Sequence, residues 1–484
     1  MPVVCFGFEV HQPYRLNRTF APDRRVRKED LEKLYFDTMN RAVLDRICEK
    51  CYRPATEILL EKLDAGFGCA FLFSGTLIEQ LERWNPDVLA LFGHVARHRN
   101  TEVLGQTYYH SIAGCFHNKA EFEEQVRMHA DLMHDIFGLR PTVFENTEFT
   151  FNNQIAATVR DLDYRGIFTE GVDRILGWKS PDYLYQCGDL PVLLRNIRLS
   201  DDIAFRFAKT DWDKYPLRAD TYAGWLAASP GEIINIFLDY ETFSEHFWKE
   251  SGILNFLHSL PEEMEARNVR TILPSQVLER FPVRDTIDVP ETISWADVEK
   301  DASAWMGNER QLTAFSAIQK AKTFAIDKNM WRYLQTSDHF YYMASKYGTS
   351  GEVHTYFSHH PPDEAFRTYM KILADFEARS IRFMKNRRSA KALRTLPFEE
   401  AFHFAGPGGY IGYTAFNLDQ FSDLLSVVLG DSIAFHQERG DFANWAQDVL
   451  GDEQLARSFG TTPDRNSLLA IVQEHREQLW SHVT

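Results

Sequence analysis

No window of the sequence approaches the roughly 20 uninterrupted apolar residues that a membrane-spanning helix needs, which argues against a bundle of transmembrane helices. Cysteine is scarce. Six occur in 484 residues (Cys5, Cys48, Cys51, Cys69, Cys115 and Cys187), all in the first half of the chain and mostly in apolar segments. That placement suits reduced core thiols and not a secreted disulfide framework. Cys48 and Cys51 form one C-x-x-C, but no second Cys/His pair at zinc-site spacing accompanies it and no thioredoxin-like strand precedes it. Positive charge is the minority: 53 Lys and Arg against 69 Asp and Glu leave a net charge of −16, a sign that repels phosphate backbones and anionic lipid. No G-x-G-x-x-G follows the first apolar run, so a dinucleotide-binding sheet lacks its fingerprint. The first residues lack the basic stretch and cleavage site of a secretory leader, and the expected location is cytoplasmic.

What remains is an ordinary globular composition, 44% hydrophobic and 25% charged, with aromatic residues raised to 14%. Short apolar or β-branched runs recur at residues 3–8, 69–73, 101–104, 142–144, 166–169, 193–197, 233–238 and 269–272. Between them lie stretches with helical apolar spacing, among them 55–63, 119–137 and 153–162. That alternation predicts a parallel sheet closed, or nearly closed, into a (β/α) barrel over residues 1–290. From residue 291 the pattern changes to long amphipathic helices, predicted over 303–324, 328–346 and 364–385, which make a helical domain ending near residue 390. Residues 391–484 read as a small C-terminal module, with helices over 418–429 and 431–450 after the Gly406-Pro407-Gly408-Gly409 break. The basic run of Lys385, Arg387, Arg388, Lys391 and Arg394 reads as a solvated helix end.

In a barrel, chemistry sits where strands end. The first strand runs into Glu9-Val10-His11-Gln12-Pro13, the third into Gly105-Gln106-Thr107-Tyr108-Tyr109-His110, the fourth into Glu145-Asn146-Thr147-Glu148, and the seventh into Asp239-Tyr240-Glu241-Thr242. Any one of these acids could be a helix cap. Together they suggest carboxylate chemistry, in which one carboxyl keeps its proton and another stays ionised. Glycoside hydrolysis uses such a pair, and aromatic faces suit sugar rings. The same residues permit a metal site built from His11, His110 and Asp239, as in a metal-dependent polysaccharide deacetylase. His359-His360 offers two more histidines, but adjacent side chains diverge.

Five segments in order carry a more specific signal: Phe8-Glu9-Val10-His11-Gln12-Pro13, Leu104 to Ser111, Asn146-Thr147-Glu148, Phe237 to Phe243, and Gln335 to Tyr342. In order and content they resemble the characteristic segments of glycoside hydrolase family 57, and Ser303-Ala304-Trp305-Met306-Gly307-Asn308 resembles its α-amylase group. The resemblance implies a distorted (β/α)7 barrel followed by a helical domain, acting with retention on α-glucan or maltooligosaccharide and needing no cofactor. It places the nucleophile on Glu148 and the acid/base on Asp239. His11, Gln12, His110, Asp338 and Trp305 would then bind substrate, Trp305 being equally a core residue. Glu145 stands where that group is expected to carry an Arg, and as the first acid after its strand it competes by position for the nucleophile's role; the Asn-Thr-Glu frame favours Glu148. A 4-α-glucanotransferase on the same site and a non-catalytic glucan-binding protein are the further alternatives. The tail resembles a small helical module appended to sugar-active proteins, through Ile433-Ala434-Phe435-His436 and Arg439 to Trp445.

Overall fold

A computed structural model describes residues 1–23, 25–27, 30–346, 361–460 and 464–483, so His359 and His360 lie outside the described residues. The strands are β1 (Val3–Val10), β2 (Cys69–Phe73), β3 (Thr101–Val103), β4 (Val143–Glu145), β5 (Gly166–Glu170), β6 (Leu184–Cys187), β7 (Leu190–Arg195), β8 (Ile233–Asp239), β9 (Arg270–Thr271), β10 (Asp285–Thr286), β11 (Phe402–Gly406) and β12 (Gly409–Ala415). Seven of them close on themselves. Parallel pairing runs β8–β1–β2–β3 on one side and β4–β5–β7–β8 on the other, and a parallel bridge from Gly105 to Phe144 joins β3 to β4. Two seams are thin, that bridge and the Arg195–Asn235 pair between β7 and β8, which is where the barrel departs from regularity.

The eighth predicted strand is not a stave: β9 pairs with Val3 and Val4 at the base of β1. Within residues 1–290 two strands escape the sequence pattern, β6, which is antiparallel to β7, and β10, which extends β6.

Alternation along each strand sorts the barrel's interior from its exterior. In β1, Phe6, Phe8 and Val10 join a large outer core, while Cys5 joins the interior cluster with Ala70, Leu72, Val143, Phe168, Leu193, Ile233 and Phe237. Gly7 belongs to the inward set, and a Cβ there would lie 2.1 Å from the Phe237 ring, so this position has no room for a side chain. The same period carries Glu9, Glu145, Glu170, Arg195 and Asp239 inward at the C-terminal ends of their strands, above a floor made by Phe237, Phe149 and Phe168.

Three predicted helices are broken, one of them in the tail, where residues 431–450 divide at the left-handed Gly440 into Gly430–Glu438 and a stretch from Asp441. Residues 303–324 divide into Ser303–Met306 and Glu309–Phe324, the second capped by Asn308 through the Gln311 amide. Residues 328–346 divide into Lys328–Tyr333 and Ser337–Tyr341, because the intervening backbone docks on the segment after β3: Ile112 donates to the Gln335 carbonyl, Thr336 bridges Ser111, and Ser337 donates to the His110 carbonyl. Tertiary pairing there overrides helix propensity. Helices from this region share a core with the outward residues Phe144, Ile167, Val192 and Leu194 of the barrel. The tail has its own core, yet it opens with the antiparallel hairpin β11–β12 and not with a helix, the Gly-rich break forming the hairpin's turn. All six cysteines are free thiols. Among the described residues no helix is long and apolar enough to cross a membrane.

Candidate active site

Glu9 and Asp239 are register partners across β1 and β8, and Glu145 ends β4. Glu148 follows in a short 3-10 turn, in the left-handed backbone region (φ 62°). Such a conformation is costly for a non-glycine residue and persists where surrounding contacts enforce it. Here they are evident: Oε1 of Glu148 accepts from the Ser337 hydroxyl at 3.0 Å, and Oε2 accepts from the Trp295 indole N–H at 2.8 Å. Trp295 in turn stacks on Phe149, with ring centres 4.8 Å apart. Both Glu148 oxygens therefore meet neutral donors, which match an ionised carboxylate.

Asp239 has the opposite environment. Burial pushes its carboxyl well above the ordinary range, and Glu241 and Glu148 push the same way against Arg195. Arg195 is itself buried and committed elsewhere, donating to Glu170 at 2.9 Å, Asp201 at 2.7 Å and the Phe237 carbonyl at 2.7 Å. Glu241 is raised to about 7 by burial, although the Tyr52 hydroxyl and the His11 amide donate to it. Glu9 and Glu145 are raised well above the ordinary range, again by burial first and then by neighbouring carboxylates. Glu145 points inward, and one of its oxygens accepts the Phe149 amide at 2.8 Å.

The predicted binding residues gather on the same rim, with one exception. The rings of His11 and His110 stack at 3.8 Å. His11 Nε2 meets Asp338 at 3.0 Å, and its Nδ1 meets the Ser74 hydroxyl at 2.7 Å. Burial first, and then His110, lower the His11 pKa to about 4 against the opposing pull of Asp338. Burial raises the Asp338 carboxyl, but the hydrogen bond and field of His11, with His110 and His339, outweigh it and hold Asp338 below the ordinary range. Gln12 is buried and accepts from Arg15 at 3.1 Å. Trp305 is the exception: it is 1% exposed, sits in the core shared by barrel and helices, and presents no face to a ligand.

Nothing in the linear pattern distinguished Trp295 or Ser337 as partners of Glu148, because both arrive from segments that the fold, and not sequence spacing, brings to the barrel mouth. The strand-end rule did apply to Glu9 and Glu241, whereas Arg195, which ends β7, falls inside the predicted run 193–197. Among the described residues no group of three or more His, Cys, Asp or Glu side chains is arranged to hold a metal ion. In particular, the stacked rings of His11 and His110 direct their nitrogens to different partners, so the trio with Asp239 does not converge on one point.

A parallel barrel with opposed carboxyl environments at its C-terminal mouth has the layout of a barrel enzyme acting through paired acids. The family model for glycosyl hydrolase family 57 matches residues 5–290, and the chain belongs to that family of glycoside hydrolases. A relative from Methanocaldococcus jannaschii, provisionally named an alpha-amylase, is 43% identical over 396 residues, covering 78% of this chain and 84% of its own. Crystal structures of similar fold include a family 57 branching enzyme from Pyrococcus horikoshii, at 14% identity with a TM-score of 0.58 over 78% of this chain and 89% of that one. Another is an exo-type maltose-forming amylase from Pyrococcus sp. ST04, at 11% identity with a TM-score of 0.50 over 99% of this chain and 94% of that one.

Proposed function

We propose that the protein is a retaining, α-amylase-type hydrolase of α-1,4-glucosidic bonds in α-glucan or maltooligosaccharide, with Glu148 as nucleophile and Asp239 as acid/base. The observation that carries this reading is the contrast between the two carboxyls: burial and neighbouring acids push Asp239 toward its protonated form, while each Glu148 oxygen accepts a hydrogen bond. In the first step a Glu148 oxygen attacks the anomeric carbon. The bond to the leaving oxygen breaks, and that oxygen takes the Asp239 proton. In the second step Asp239 removes a proton from water, which displaces Glu148 and restores both groups. His11, Gln12, His110 and Asp338 hold sugar hydroxyls or orient the carboxyls. The choice of an α-glucan rests on the 43% identical relative provisionally named an alpha-amylase.

The test is the product pattern from maltoheptaose, with EDTA present, for wild type and for Glu148→Gln. The reading predicts shorter oligosaccharides only, absent with the variant. Products longer than the substrate would mean that a sugar replaces water as acceptor, making the enzyme a 4-α-glucanotransferase on the same site. Unchanged maltoheptaose with wild type would remove the amylase reading.

A further inference from the structure

Glu9 is 1% exposed, and no hydrogen bond accounts for either of its oxygens. It is nevertheless not isolated: Oε1 lies 3.1 Å from Nδ1 of His110, whose other nitrogen, Nε2, lies 3.5 Å from Oε1 of Glu148. A second oxygen, Oε1 of Gln106, also faces Nδ1 at 3.1 Å. The His110 ring is pinned by its left-handed backbone (φ 48°), by the Ser337 amide on its carbonyl and by the His11 ring stacked against it. The groups facing it are thus Glu9 from β1, His11 beyond β1, Gln106 beyond β3, Glu148 beyond β4, and Asp338 from the helix Ser337–Tyr341. Among the described residues no Lys or Arg reaches Glu148 within ion-pair distance; His110 is its basic neighbour.

Oxygen acceptors therefore stand on both sides of one imidazole. A bare Nε2 would aim its lone pair at the Glu148 carboxylate 3.5 Å away, an arrangement that a proton on Nε2 relieves. A neutral ring protonated there has a bare Nδ1, which would face two oxygens at 3.1 Å unless a proton lies between. We propose that Glu9 acts through His110 as a positioning residue for Glu148: one proton held between Glu9 Oε1 and His110 Nδ1 keeps the second ring proton on Nε2, where it donates to the Glu148 carboxylate. Whether the shared proton resides on the acid or on the ring, Nε2 remains the donor. Burial and four surrounding carboxyls, which push Glu9 toward its protonated form, agree with this arrangement. So does the lowering of the His11 pKa by burial and by His110, since two stacked rings cannot share a charge at low cost. The chain thereby supplies to its nucleophile, from β1 and the segment after β3, a donor that Glu145 cannot.

This inference rests on Glu148 being the nucleophile, and its test separates the two claims. The pH dependence of kcat/KM on maltoheptaose is measured for wild type, Glu148→Gln, Glu9→Gln and Glu9→Leu. In Glu9→Leu the Gln106 oxygen draws the ring proton to Nδ1, and the acid limb moves to higher pH by about one unit. With that shift kcat falls about tenfold at an unchanged KM. Glu9→Gln retains most activity, because its amide N–H can donate to Nδ1. An unshifted acid limb in Glu9→Leu, with Glu148→Gln inactive, would overturn the positioning role alone and leave the tautomer to a turned-over Gln106 amide. An active Glu148→Gln would overturn the site assignment itself. Should Glu9→Leu not fold, ring ¹⁵N shifts of His110 in the wild-type protein decide: a protonated Nε2 at neutral pH supports the proposal, and a bare Nε2 contradicts it.

Discussion

Glu148 depends on two donors that differ in kind, and each can be removed separately. Trp295→Phe keeps the stack on Phe149 but deletes the indole N–H, while Ser337→Ala deletes the hydroxyl. A hydrogen bond to a charged group contributes about 1.5–3 kcal/mol, so each variant is expected to lose about tenfold or more in kcat with KM nearly unchanged. A raised KM with kcat unchanged would place these residues in substrate binding. Asp239 offers a pH test of its own. Its carboxyl is raised by burial, Glu241 and Glu148, so if it is the acid, activity is expected to fall as pH rises through its elevated value. Asp239→Asn should lose activity at every pH on natural glucans while recovering part of it on a substrate whose leaving group needs no proton. Loss on both substrates alike would contradict the acid role.

The barrel strands place these residues by their period of two, and Gly7 is where that packing is tightest. Gly7→Ala would drive a methyl group into Phe237, beneath Glu9 and Asp239, and an overpacked core of this kind costs about 1–3 kcal/mol. Denaturant unfolding checks this; a midpoint equal to wild type would mean that the aromatic floor can shift. This period is also why much of the site was legible in the sequence. Apolar runs ending in Glu9, Glu145 and Asp239 announced strand ends, and strand ends are where a parallel barrel exposes its inward side chains. The resemblance to the family's characteristic segments extended this reading to Asp338. Less legible was what depends on distant pairing. The break at residues 334–336 carries no Gly or Pro, and follows from docking on Ser111 and Ile112; without it Ser337 would not face Glu148. The hairpin β11–β12 was hidden for a related reason, since its strand Gly409–Ala415 is mostly exposed and lacks an apolar alternation. Trp305 was ambiguous by residue type, and only its burial places it in the core.

Across the whole molecule, the inward ring of acids makes stability depend on pH. Glu145 is raised in the folded state by burial, Glu148 and Asp239. Its favourable protonated form is therefore fully present below the unfolded value near 4.5, and that contribution is lost as pH rises toward the elevated value. Between those limits each such proton contributes a slope of about 1.4 kcal/mol per pH unit. Glu145→Gln should flatten the decline in unfolding free energy as pH rises above that unfolded value, and an unchanged slope would show that Glu145 is already ionised. We further propose that the chain's units divide near residues 290 and 390. The later boundary has a core of its own around Phe402, Phe421, Phe442 and Trp445, although that core recruits Phe324 and Ile381 from upstream.

The central claim, covalent catalysis by Glu148 with Asp239 as its acid, is tested most directly by trapping the intermediate. The enzyme is incubated with a fluorinated α-glucosyl fluoride, digested, and the labelled peptide fragmented by mass spectrometry, since one tryptic peptide carries both Glu145 and Glu148. A glucosyl adduct on Glu148, with the α-anomer as the first product from natural substrate, is the predicted result. An adduct on Glu145, or a β-anomeric first product, would contradict it.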